Sequence, residues 1–130
     1  MSRRDQIRMT AEEVDAYLHE THTMNVASIG SDGRVHLVAM WYGFLDGKPA
    51  FWTYGRSQKI LNLRRNPSIT CLVETGERYE ELKGVELVGT ARIVDDREQV
   101  YAIGASVMDR HTGPYTEEMR PILEIGRAHV

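Results

Sequence analysis

Arg56, Ser57 and Lys59, near the middle of the chain, combine residue types and spacing suited to holding an anion. They follow a strand-forming run, Phe51 to Tyr54, and Gly55, which permits a sharp bend. Ser57 has the character of an N-cap, and a helix is predicted over Gln58 to Asn66 that must stop before Pro67. A helix start presents free backbone N–H groups and the positive end of the helix dipole. With Arg56 and Lys59 beside it, donors and charge converge on one point, and a phosphate is the group that suits it. On this segment alone, an ordinary strand–helix junction with solvated basic residues is the alternative. Arg64 and Arg65 close the helix, where cations are favourable through the dipole alone, so they are expected to be structural.

The whole stretch FWTYGRSQKILNLRRNP, Phe51 to Pro67, resembles the signature of the pyridoxamine-phosphate-oxidase-like split-barrel flavoproteins. In that family an aromatic–Thr–aromatic strand end leads into a basic helix start and an Asn-Leu-Arg-Arg-Asn-Pro-like helix end. The similarity runs from about Thr10 to Leu123. It implies a mainly β chain with short helices (α+β) forming an antiparallel, FMN-binding-like split β-barrel. It also implies a homodimer, with FMN or the deazaflavin coenzyme F-420 at the subunit interface. On this resemblance Arg56, Ser57 and Lys59 match the cofactor-phosphate positions, and Thr53 and Tyr54 the strand end beside them. The cofactor ring would lie against Val38, Ala39, Met40 and Trp41, residues whose other reading is plain core or interface. Pyridoxamine phosphate oxidases proper carry basic residues on the second strand, where this chain offers only Arg34 and His36. That departure, with the segment TGPYTEEMRP, makes the chain look more like the actinobacterial deazaflavin-using branch. The function implied is hydride transfer between F-420 or FMN and a small conjugated substrate. The alternatives are a non-catalytic flavin- or haem-binding carrier, and a pyridoxamine phosphate oxidase.

Nothing in the sequence builds a catalytic engine from protein groups alone. There is no Gly-x-Ser-x-Gly elbow, phosphate-loop motif, dinucleotide glycine fingerprint or His-Glu-x-x-His pair. If the chain is an enzyme, a bound cofactor must therefore carry the difficult step. No catalytic residue is assigned, and Tyr54 and Tyr79 are candidate donors to a substrate. His19 and His22 have a spacing that could ligate a metal, but no further ligand pattern completes a site, so no metal is expected.

The elements that must position these residues follow from patterning. At 130 residues, 42% hydrophobic and 27% charged, the chain has room for one domain, and 1–124 is assigned to it. A net charge of −3 gives no reason to expect nucleic acid, and neither an apolar signal region nor a membrane span is present. The lone Cys71 lies in an apolar run, which suits a cytoplasmic setting. Thr10 with Glu13 predicts a capped helix over Ala11 to Glu20. Alternation predicts strands at Thr23 to Ile29, Arg34 to Leu45, up to Tyr54, Ser68 to Glu74, and Gly84 to Val94. Ser31-Asp32-Gly33 and Asp46-Gly47 mark hairpin turns, and Gly89 suggests a bulge or a close backbone approach. Both faces of the second strand are apolar, as inside a barrel. Asp95 with Glu98 predicts a further helix to about Asp109, and Gly113-Pro114, Thr116 and Pro121 predict a break and a short capped turn.

The last six residues, Ile125 to Val130, match what a common sequencing adapter encodes, so this tail is expected to be non-native. The family's final strand would then be missing, leaving its place on the sheet empty or covered by residues after Pro121.

Overall fold

The computed structural model describes residues 6–53, 55–112 and 127–129, with Thr112 and 127–129 as backbone only. Tyr54, Gly113-Pro114, Thr116 and Pro121 therefore lie outside the described residues. Helix α1 (Ala11–Glu20) starts at the predicted capping box: Glu13 N–H donates to Thr10 Oγ1 at 3.1 Å and Thr10 N–H to the Glu13 carboxylate at 3.0 Å. The chain then forms β1 (Thr23–Ile29), β2 (Val35–Trp41), β3 (Gly43–Leu45), β4 (Lys48–Thr53) and helix α2 (Gln58–Arg65). After these come β5 (Ser68–Thr75), a 3-10 turn at Tyr79–Glu81, β6 (Lys83–Thr90), β7 (Ile93–Val94), helix α3 (Arg97–Thr112) and β8 (Arg127–His129).

Two four-stranded antiparallel sheets result, in the orders β2-β1-β5-β6 and β3-β4-β8-β7. This is the split barrel anticipated above. Asp-Gly makes the second hairpin because Asp46 (φ 50) and Gly47 (φ 78) both occupy the left-handed region that such a two-residue turn requires. Between the sheets sits a core of Met24, Val26, Tyr42, Phe51, Val73 and neighbours, and a second cluster of Leu45, Ala50, Val94, Val100 and Ile103 joins α3 to the second sheet.

The predicted strand Arg34 to Leu45 is broken at Tyr42, and its two parts belong to different sheets. Tyr42 is fully buried; its hydroxyl donates to the Leu18 carbonyl and meets Thr21 Oγ1 at 2.7 Å. Gly43 lets α3 come in close: a Cβ there would lie 2.6 Å from Ser106 Oγ and 2.9 Å from Val107 N. Ser106 Oγ in turn accepts the Phe44 N–H at 2.9 Å. The predicted strand Gly84 to Val94 breaks likewise, at Ala91, whose N–H donates to the Pro67 carbonyl at 2.8 Å before β7 joins the second sheet. Gly89 forms no bulge: it pairs in regular register with Ile69, and a Cβ on it would meet nothing. Helix α3 starts at Asp96 rather than Asp95, because Asp96 Oδ2 accepts the Gln99 N–H at 3.1 Å while Asp95 pairs with Arg64.

The apolar second strand is half covered. His36, Val38 and Met40 turn inward, while Val35, Leu37, Ala39 and Trp41 lie exposed on the outer face, with His111 of α3 against the Trp41 ring at its end. Arg127–His129 pairs with both β4 (Phe51↔His129) and β7 (Ile93↔His129), so of the two expected outcomes, an empty place or one covered by residues after Pro121, the second holds. Gly43→Ala should lower stability by about 1–3 kcal/mol in urea denaturation, because the new methyl meets α3 backbone as well as a movable side chain. An unchanged midpoint would mean that the corner tolerates a wider gap to the helix.

Candidate functional site

Helix α2 is held over one end of the barrel by its buried face. Ile60 and Leu63 pack inward, and the fully buried Asn62 donates from Nδ2 to Ser28 Oγ on β1 at 3.1 Å. Gln58 Nε2 donates to Asn62 Oδ1 at 2.8 Å, and Arg65 Nη2 to the Ile29 carbonyl at 2.8 Å. Arg64 makes an exposed ion pair with Asp95 at 3.5 Å. Both arginines of the last turn therefore have structural partners. Asn62 escaped sequence reasoning, since a polar residue on a short amphipathic helix carries no sign that it points inward.

The first turn is different. Ser57 has extended N-cap geometry (φ −66, ψ 156), yet its side chain caps nothing and no acidic residue lies in the turn. Its Oγ is buried without a partner. Lys59 is 9% exposed, and among the described residues no carboxylate pairs with its ammonium. Burial pushes the Lys59 amine below the usual lysine range, with no opposing contribution from an anion. A buried cation, an orphaned hydroxyl and an uncapped helix start thus fall within three consecutive residues, which favours an anion there. Ser28, already bonded to Asn62, lies opposite His36 in the β1–β2 register, and His36 Nδ1 is also buried without a partner. Thr53 is buried at the end of β4, four residues before Ser57, while Arg56 is exposed in the connecting turn.

The four β2 residues expected to wall a ring do not act together. Val38 and Met40 belong to the core side; only Ala39 and Trp41 face outward. The cause is strand alternation, which gives any flat ligand one set or the other. Trp41 is stacked on His111 (4.0 Å between centroids, 11° between planes), so one of its faces is already taken. His111 Nε2 lies 3.1 Å from the His22 carbonyl, and burial together with the nearby Arg110 and His22 lowers its pKa. His19 instead stacks on Phe44 at 4.1 Å, so the two histidines of the possible metal pair are engaged with different partners. Tyr79 stands 88% exposed on its 3-10 turn, away from α2's first turn in contact and in chain.

The sequence matches the profile of the pyridoxamine 5'-phosphate oxidase family over residues 10–127. No curated protein sequence matches the chain. Among solved structures, the conserved hypothetical protein Rv2991 from Mycobacterium tuberculosis is 38% identical, with a TM-score of 0.91 over 99% of this chain and 83% of that one. A heme binding protein from Mycobacterium smegmatis superposes with a TM-score of 0.71 at 18% identity, over 95% of this chain and 51% of that one. A FAD-binding protein from Mesorhizobium loti gives 0.68 at 18% identity, over 93% and 85%. The last two are likenesses of fold alone.

Replacing the bare ammonium separates binding from stability. Lys59→Met should raise the urea midpoint of the ligand-free protein and weaken binding of a phosphate-bearing cofactor by about 1–3 kcal/mol. Because the folded value is depressed, the folded state sheds its proton first. Ligand-free wild type should thus gain stability as pH rises through the lowered Lys59 value towards the ordinary lysine value, and the variant should lose that gain. Arg64→Ala, which breaks only an exposed pair, should shift binding far less. Equal losses of binding from both variants in a fluorescence titration would move the site away from the first turn.

Proposed function

Since the chain belongs to the pyridoxamine 5'-phosphate oxidase family, we propose that it is an oxidoreductase that binds F-420, in preference to FMN, and transfers hydride to or from a small conjugated substrate. The observation that carries this reading is the buried Lys59, with no carboxylate partner among the described residues, two positions after the orphaned Ser57 hydroxyl at an uncapped helix start. These groups fit a phosphate in charge and in hydrogen-bonding type. Ser57 and Lys59 would hold the phosphate, Arg56 would add exposed positive charge at the approach, and His36 would offer a further nitrogen. The cofactor, once bound, supplies the hydride chemistry.

The preference for F-420 rests on β2. Arg34 lies exposed in the turn and His36 is the one titratable group on the strand's inner face, so β2 provides less cationic grip than the vitamin-B6 enzymes of the resemblance have. The outer face of β2-β1-β5-β6 is the surface we assign to a second copy of the chain. Leu37 (66% exposed) and Val88 (73% exposed) make it too apolar to favour water. A homodimer formed there would place Ala39 and Trp41 at the interface, against the ring. The buried, unpaired Cys71 fits a reducing cytoplasm.

Titrating the purified protein separately with F-420 and FMN should show tighter binding of F-420. In stopped-flow absorbance, reoxidation of bound reduced cofactor should accelerate when quinones or other flat conjugated acceptors are added. Binding without acceleration across such acceptors would favour a carrier. Binding of neither cofactor would contradict the proposal itself.

A further inference from the structure

A cleft of about 440 Å³ opens between the sheets where β4 faces β6, apart from the helix-start site. Its volume lies within the roughly 300–1,000 Å³ typical of small-molecule sites. Met24, Phe51, Ile69, Cys71 and Leu87 supply an apolar lining, and Lys48 and Glu86 stand exposed at the mouth without an ion pair between them. Gly89 lines the wall, and a Cβ built on it meets no atom within 4 Å. The space over Gly89 is therefore open, although a side chain there would be accepted by the regular strand pairing. Burial pushes the Cys71 thiol up to about 11, consistent with low polarity at the cleft floor.

The geometry points to this cleft as a binding site for an uncharged, mainly apolar small molecule of one or two rings, distinct from the phosphate-bearing cofactor. Apolar cavities bind such molecules because water gains little there. A charged ligand is disfavoured: the two mouth charges are of opposite sign, and the lining has no buried charged group to receive one.

The probe is N-phenyl-1-naphthylamine, a neutral dye whose emission rises in apolar surroundings. Wild type should show a saturable rise, and Gly89→Leu, which fills the open space, should weaken it by about tenfold while keeping or raising the melting midpoint. Leu37→Glu, on the outer sheet face, and Lys59→Met should leave the dye's affinity unchanged. Cys71 is the chain's one thiol, so saturating dye should also slow its alkylation by N-ethylmaleimide. Equal dye binding by wild type and Gly89→Leu, or loss of binding in Leu37→Glu, would place the dye elsewhere and overturn the proposal. Should Gly89→Leu fail to fold, Cys71 alkylation in wild type decides: slowing supports the site, and an unchanged rate overturns it.

Discussion

The architecture depends on the corner at Tyr42 and Gly43, where one strand is bent into two. Without a side chain at Gly43, Ser106 on α3 reaches the Phe44 amide, and the helix can close over the second sheet. The Tyr42 hydroxyl ties the same corner to the end of α1. Arg110 completes the clasp: it lies over the Tyr42 and Phe44 rings at 4.7 and 4.8 Å and donates to the Leu18, His19 and Thr21 carbonyls. Through these contacts α1 and α3 are both tied to the corner where the strand passes from one sheet to the other.

At the end of the barrel under α2, stability and binding pull in opposite directions. The last turn of α2 is fully partnered through Asn62, Arg64 and Arg65, so it can bear a first turn that is not. A carboxylate near Lys59, or a capping role for Ser57, would stabilise the ligand-free chain and block an anion. Leaving both groups without a partner among the described residues costs stability in the empty state and, on the proposed reading, prepares the site for a ligand, a pattern common where polar groups are held ready for function.

Much of this was legible in the sequence because it rests on local chemistry. The Thr10–Glu13 capping box, the Asp46-Gly47 turn and the helix ending before Pro67 each follow from neighbours in the chain. What could not be read depends on contacts between distant residues. The break at Tyr42 is made by hydroxyl bonds to α1, that at Ala91 by the Pro67 carbonyl, and the inward aim of Asn62 by Ser28. The alternation along β2 was visible, but which face would stay open depended on what packs over it. For the candidate site, the residue types at Arg56, Ser57 and Lys59 were legible; that the Ser57 hydroxyl and Lys59 would be buried without partners among the described residues was not.

The central claim is that Lys59 waits uncompensated for a phosphate, and proton linkage tests it most directly. A phosphate anion favours the charged amine and so raises its pKa, while the phosphate itself, a diester in F-420 and in FMN a monoester with a second pKa of about 6, takes up no proton in alkaline buffer. Calorimetric titration of F-420 or FMN at about pH 10, near the ordinary lysine value, in two buffers of different ionisation enthalpy should show proton uptake on binding. That uptake should vanish in Lys59→Met. Cofactor binding with the same apparent enthalpy in both buffers would mean that Lys59 does not meet the phosphate.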